Sequence, residues 1–444
     1  MHRTHCRTRR ADGHLRLFRP RSGAGRCDWR LVALAVLLTV LGAPSAVAQD
    51  GLAEARRGFQ TRLIEARRVD RPLDPPPPDV FSLVQYESAA GPMRAYLSVH
   101  TDIKPGERRP AIVWLTGGFP AARGGTGIWT PGPAENDQSA SAYRDEGVVM
   151  LVPTVRGTAD NPGVQESFFG EVDDVLAAAA YLRSLPMVDP DRIILGGHST
   201  GGTLALLAAQ STDLFCAVVA FGPVARVTDY GGRTWPFDHS DSEEVRLRSP
   251  LYFLDAVRTP TLIVEGERAN IEDLVLLDET TDNPAIQFAL LEDEDHFTPL
   301  APVNRWLARK VRRAGDEALR LDAGEVHAVV RSFYREQREA RDLRLLAERR
   351  ADGVALGETA TLEFVCLLRT ASRLDAVRAA FDGFTPGEVS ERVDADGRPF
   401  LQLRWRRTLV LEPQEIFDAS AEFRDACRAA WVRDQGWDLA TDVP

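Results

Sequence analysis

The stretch Arg192-Ile-Ile-Leu-Gly-Gly-His-Ser-Thr-Gly-Gly-Thr-Leu-Ala-Leu-Leu-Ala-Ala-Gln210 decides how this chain folds. Residues 192–195 form a short run suited to a buried strand, and 201–210 carry the small and aliphatic residues of a buried helix. Between them stands Gly197-His198-Ser199-Thr200-Gly201, a G-x-S-x-G pentapeptide. Small residues around Ser199 let the backbone turn sharply from strand to helix, which lifts the serine hydroxyl above the edge of a sheet. A phosphate loop built on the same glycines would need a Lys-Ser or Lys-Thr pair, which is missing here.

Outward from this elbow the chain alternates β-rich runs with helical periods. Residues 81–86 and 93–99 read as a strand pair, and 111–115, 147–152, 217–221, 261–264 and 285–291 as further buried strands. Between them, 171–183 places Val172, Val175, Leu176, Ala179 and Leu182 on one helical face. Such alternation, with near-continuous apolar strands, predicts an α/β fold with a doubly wound, mostly parallel sheet covered on both faces. The domain it forms is expected over 80–318, preceded at 49–79 by a helical segment (50–68) and the spacer Asp74-Pro75-Pro76-Pro77-Pro78-Asp79, which is incompatible with helix.

The pattern changes after about Gly315. Asp322 with Glu325 marks a helix start for a linker at 319–353, carrying Val326, Val329, Val330 and Phe333. Beyond it, 354–444 reads as a small α+β domain of order β-α-β-β-α. Its hairpin turns at Asp396-Gly397, and Leu401, Leu403 and Trp405 alternate with polar neighbours.

The 444 residues, 44% hydrophobic and 27% charged, suit a globular protein of two or three domains. The net charge of −11 conceals a basic first stretch: residues 1–30 hold nine Arg against Asp12 and Asp28, and without that net +7 the remainder carries −18. So acidic a surface argues against nucleic acid or anionic lipid as a main partner. The apolar run 31–41 is short for a membrane span and leads to Ala46-Val47-Ala48, so 1–48 reads as a signal peptide and the protein as secreted or periplasmic, with a retained anchor as the alternative. Of the cysteines beyond it, Cys216 sits in an apolar run as a core thiol, while Cys366 and Cys427 are candidates for one disulfide.

A serine hydroxyl needs a base to become a nucleophile. His198 is turned away by the elbow and His100 belongs to an early strand. His296 follows the last strand of the sheet, on a loop at the edge where Ser199 emerges, and is the candidate base. The acid should lie past 261–264, within Glu265-Gly266-Glu267-Arg268-Ala269-Asn270. Glu267 is the favoured partner, with Glu265 and Asn270 open. The backbone N–H of Thr200 and one from Thr116-Gly117-Gly118-Phe119, with Gly118 the candidate, would form an oxyanion hole. This chemistry asks for no cofactor and no metal. The segment 223–251 is expected to lie over the site.

Arg156-Gly157, Asn161-Pro162-Gly163, Phe169-Gly170-Glu171, Asp173-Asp174, Asp189-Pro190-Asp191-Arg192-Ile193 and the elbow together resemble the catalytic module of prolyl oligopeptidase-like and dienelactone hydrolase-like α/β hydrolases over about residues 90–315. The resemblance implies a serine hydrolase working through an acyl-enzyme on a small ester or peptide, with Ser199 and His296 at motif positions. It departs at Ala269, where such hydrolases commonly carry an Asp three residues after the Gly. No room for a substrate-restricting β-propeller exists before residue 80, so esterase-like activity is the expectation. Residues 361–437 resemble the ferredoxin-like domain of regulator of ribonuclease E activity B, which transfers a fold but no partner. The alternative is a hydrolase-fold binding protein whose chemistry has decayed, with the C-terminal domain as the working part.

Overall fold

The computed structural model describes residues 51–440 except 121, 123–124, 232, 315–318, 370, 394–397 and 431. The leader expected at 1–48 and the turn expected at Asp396-Gly397 lie outside the described residues.

The strands β1 (Phe81–Ser88), β2 (Gly91–Ser98), β3 (Arg109–Leu115), β4 (Val149–Pro153), β5 (Val188–His198), β6 (Ala217–Phe221), β7 (Thr261–Gly266) and β8 (Ile286–Leu291) form one sheet in the order β1-β2-β4-β3-β5-β6-β7-β8. The hairpin β1–β2 is antiparallel and β2 meets β4 antiparallel, while β4, β3, β5, β6, β7 and β8 run parallel. Parallel strands need crossover connections and coverage on both faces. Helices α1 (Gly170–Ser184) and α2 (Thr200–Ala209) cover one face through Val172, Val175, Leu182, Leu204 and Leu207. Helix α4 (Leu300–Arg313) covers the other through Leu300, Val303 and Leu307; between them in sequence, α3 (Ile271–Thr280) joins β7 to β8. In β3, Ala111, Val113 and Leu115 enter the first core while Ile112 and Trp114 enter the second, the period-two alternation of a strand buried on both sides.

The N-terminal segment departs from expectation. Only Leu52–Ala55 is helical; 56–58 form a turn, and 59–68 run without further helix, touching the body through an isolated bridge between Leu63 and Phe237. Its arginines spend their donors on the hydrolase-like body: Arg56 on the carbonyls of Phe168, Phe169 and Leu247, Arg67 on Thr234, Arg68 on Asn161 and Gly163. These tertiary contacts override local helix preference.

The segment expected as a linker is a single helix, α5 (Ala323–Ala351), capped at its start by Asp322, whose side chain accepts from Glu325 N at 2.8 Å. Val326 and Val330 join the core under the large sheet, and Leu346 joins the core of a second, four-stranded sheet. The latter is built from β9 (Thr359–Leu368), β10 (Thr385–Val393), β11 (Pro399–Val410) and β12 (Arg433–Leu439), all antiparallel, in the order β10-β11-β9-β12. Helices α6 (Leu374–Ala380) and α7 (Pro413–Ala429) complete a β-α-β-β-α-β order. Cys366 and Cys427 lie buried in this same core as free cysteines, and not as a disulfide.

Candidate active site

The elbow folds as its glycines require. Ser199 sits at φ 57°, ψ −118°, between the end of β5 and the start of α2, and its N–H donates to the Phe221 carbonyl at 2.7 Å. A Cβ on Gly197 would stand 2.2 Å from the Gly201 carbonyl oxygen, and one on Gly201 would stand 2.2 Å from that of Leu115, so only glycine lets helix and strand approach this closely. A positive φ at a serine is strain held by its surroundings, and such strain gathers at functional sites. Ser199 is half-buried, and its hydroxyl makes no hydrogen bond among the described residues.

His296, on the loop after β8, has 20% of its side chain exposed, and its Nδ1 lies 2.9 Å from Oε2 of Glu265. Glu265 belongs to β7 and is 2% exposed; its other oxygen, Oε1, accepts from Gly266 N at 2.8 Å. The two rest on Gly222, directly after the Phe221 that receives the Ser199 N–H: a Cβ there would lie 2.3 Å from His296 Cε1 and 2.7 Å from Glu265 Oε2. The ends of β5, β6, β7 and β8 therefore gather serine, histidine and carboxylate at one edge of the sheet.

The favoured acid is corrected here. Glu267 is exposed in the turn beyond β7 and accepts from Asp293 N at 3.2 Å, steadying the loop that carries His296. Asn270 begins α3 without a side-chain cap bond, and Ala269 closes the turn by donating to Gly266 O at 3.1 Å. Neither meets the imidazole; the carboxylate that does is the strand-end Glu265.

His198 is turned inward and carries a contact the sequence did not disclose. Its Nε2 donates to the main-chain carbonyl of His296 at 3.0 Å, and the two rings lie 4.6 Å apart between centroids. Burial pushes its pKa down to about 3, aided by the neighbouring His296, so it stays neutral while it holds this loop. Its Nδ1 is buried without a partner, and a Cβ on Gly117 would come within 3.1 Å of it.

From a second direction comes Tyr334 of α5. Its hydroxyl lies 2.7 Å from the Thr298 carbonyl, two residues past His296, and 3.1 Å from that of Ala134. Burial raises its pKa, with Glu294 adding to the effect, so the phenol keeps the proton that these carbonyls share. Neither residue had a motif to announce it: His198 is a variable position of the pentapeptide, and Tyr334 belongs to an amphipathic pattern.

Thr200 occupies the first turn of α2, where backbone N–H groups have no intrahelical acceptor. Its Oγ1 donates to the Gly118 carbonyl at 2.5 Å, tying the glycine loop after β3 to the elbow, and Gly118 takes φ +91°. The loop continues into Phe119, whose ring meets Tyr230 and Trp235 of segment 223–251 with centroids 5.0 and 6.1 Å away. The remaining motif residues build scaffold. Buried Asp174 binds Arg156 through both oxygens, Glu171 accepts from the N–H groups of Glu166, Ser167 and Phe169, and Asn161 fastens Arg94, Thr154 and Val155.

Sheet order, elbow and histidine loop define an α/β hydrolase, with a separate small antiparallel sheet at its C-terminal side. Residues 135–270, which span the elbow and Glu265, match the model of the prolyl oligopeptidase family, Peptidase_S9. The chain is 27% identical over 227 residues to the uncharacterized peptidase YtmA of Bacillus subtilis (strain 168), covering 48% of this chain and 81% of that one. It is 30% identical over 110 residues to the uncharacterized peptidase YuxL of the same organism, covering 22% of this chain and only 17% of that one. Among solved structures it is similar to the Pyrococcus horikoshii acylaminoacyl peptidase at 17% identity, with a TM-score of 0.45 and coverage of 55% of this chain and 43% of the other.

Proposed function

We propose that this protein is a serine hydrolase that cleaves an ester or peptide bond through an acyl-enzyme on Ser199. The observation that carries the reading is the 2.9 Å contact between His296 Nδ1 and the buried Glu265, next to a serine held at positive φ. Glu265 keeps the proton on Nδ1, leaving Nε2 to take the Ser199 proton as Oγ attacks the carbonyl carbon. The oxyanion that forms is met by the N–H groups of Thr200 and Gly118. Collapse expels the alcohol or amine, which receives the proton from His296. Water, deprotonated by the same imidazole, then attacks the acyl-enzyme and frees the acid and Ser199.

The decayed-hydrolase alternative rested on Ala269 standing where an Asp is common, and a carboxylate already bound to His296 removes that motive. The peptidase-type match over 135–270 makes peptides a first natural substrate class to try beside esters. Export through cleavage after Ala48 remains part of the proposal, and the intact mass of protein recovered from the cell envelope tests it by showing whether the chain begins at Gln49. The C-terminal unit, with its β-α-β-β-α-β order and strand sequence β10-β11-β9-β12, we read as ferredoxin-like, of unassigned partner.

The decisive test is fluorophosphonate labelling together with hydrolysis of p-nitrophenyl acetate. The parent protein should label and turn over, and Ser199→Ala should do neither while keeping its fold. Ester hydrolysis by Ser199→Ala within about threefold of the parent would overturn the reading.

A further inference from the structure

The surroundings of the glycine loop carry a feature that the chemistry above does not use. Beside the glycine loop lies a pocket of about 180 Å³ walled by Phe119, Phe168 and Trp235, with Arg67, Arg233 and Glu171 among its polar lining. At roughly 30 Å³ per water-sized group, that is room for a short chain of about six heavy atoms. Its position is fixed by Phe119, which directly follows the Gly118 whose carbonyl binds Thr200, the neighbour of Ser199. A group bound here would lie beside the glycine loop that carries one donor of the proposed oxyanion hole.

The charges of this pocket are unequally occupied. Arg67 is spent on Glu65 and on the carbonyl and hydroxyl of Thr234. Glu171 is 4% exposed, and its two oxygens accept three backbone N–H groups at 2.7 to 3.1 Å, so it is committed to the loop beneath. Arg233 differs: it is exposed, has no carboxylate or carbonyl partner among the described residues, and stacks over the Phe119 ring with its guanidinium carbon 3.7 Å from the centroid. Stacking fixes the plane of the guanidinium and leaves its edge N–H groups free, the arrangement that receives a carboxylate in two parallel hydrogen bonds.

We propose that this pocket is an anion-recognising subsite and that Arg233 selects substrates bearing a carboxylate a few atoms from the scissile carbonyl, such as hemiesters of short dicarboxylic acids or peptides with an acidic side chain at the cleavage site. The inference rests on the hydrolase reading for its catalytic consequence but not for binding itself.

The test compares p-nitrophenyl hydrogen glutarate, which is anionic, with neutral p-nitrophenyl butyrate, in the full chain and in Arg233→Gln. The parent should prefer the anionic ester in kcat/KM, the preference should shrink as salt is raised, and Arg233→Gln should lower the anionic-to-neutral ratio about tenfold, the scale of one charge-assisted hydrogen bond. No preference in the parent, or an equal loss on both esters, overturns the subsite while leaving the hydrolase reading intact. If neither ester is cleaved, binding of monomethyl glutarate to Ser199→Ala, followed calorimetrically, decides alone: binding that Arg233→Gln abolishes supports the site, and absence of binding overturns it.

Discussion

Replacing Glu265 by Gln changes one atom at the most enclosed point of the proposed triad. The carboxylate accepts two hydrogen bonds, from His296 Nδ1 at 2.9 Å and from Gly266 N at 2.8 Å, and only 2% of the side chain reaches solvent. An amide has one accepting oxygen. If that oxygen faces His296, the NH2 group confronts the Gly266 N–H, donor against donor. If it faces Gly266, the NH2 donates to Nδ1 and moves the imidazole proton to Nε2, where it can no longer take a proton from Ser199. Water has no access to repair either outcome, and the charge that would stabilise the imidazolium is gone. Loss of the acid's charge with geometry preserved costs about 10⁴ in kcat, which is ~5 kcal/mol of barrier at ~1.36 kcal/mol per decade. Steady-state hydrolysis of p-nitrophenyl acetate measures it, with thermal melting to establish that the variant is folded. Glu267→Gln, whose carbonyl can still accept from Asp293 N, should stay within about threefold of the parent. A folded Glu265→Gln that retains a tenth or more of the parent rate, or a larger loss at Glu267 than at Glu265, would refute the assignment.

Gly222→Ala drives a methyl to 2.3 Å from His296 Cε1 at a residue with φ +55°, so kcat should fall about a hundredfold or more through displacement of the imidazole; activity near the parent's would show that His296 is not held there. Tyr334→Phe removes a hydroxyl that binds Thr298 and Ala134 but touches no reacting atom; stability should fall by about 1 kcal/mol and kcat several-fold with KM for a small ester unchanged, and a purely structural residue would leave kcat alone. For His198, with its pKa lowered to about 3 from an ordinary 6.5, the unfolded chain binds a proton that the folded chain refuses between those values. Its contribution is intact above about pH 6.5 and is lost as pH falls towards 3, by up to about 5 kcal/mol at ~1.36 kcal/mol per pH unit. Urea denaturation of the parent and His198→Gln across that range should show a shallower pH slope in the variant, and identical slopes would contradict the buried neutral histidine.

Most of the sheet could be read from the sequence because its strands are short apolar runs between turn residues; β6 was placed at both ends, and the elbow announced itself through its glycines. The carboxylate that meets His296 lies two residues before the favoured Glu267, for a reason that resides in the fold. The apolar run ends at Val264, so Glu265 looks like the residue that stops a strand. In the structure β7 continues to Gly266, pairs Glu265 with Leu290 of β8, and buries the carboxylate because His296 arrives to bind it. Nothing local can report a partner 31 positions away. β12 has little strand signal in the sequence because Arg433–Leu439 is polar and bulged between Asp434 and Gly436, with an apolar contribution to the core from Trp437. The 50–68 segment has helical composition, but its shape is dictated by arginine bonds to distant carbonyls.

The 29-residue helix α5 imposes a rule of phase on everything that follows it. Tyr334 meets the histidine loop, and eight residues on Asp342 accepts the indole N–H of Trp437 from β12 at 3.0 Å. At 1.5 Å and about 100° per residue these anchors stand ~12 Å apart and ~80° around the axis. A single residue inserted between them would swing the four-stranded sheet about 100° around the rod while leaving every contact within each part unchanged, whereas seven added residues would return it to within about 20° of its present bearing, some 10 Å farther out. The stretch that looks in sequence like a tolerant connector therefore behaves as a shaft, in which length is coupled to angle, and in which substitutions should be far easier to accommodate than insertions.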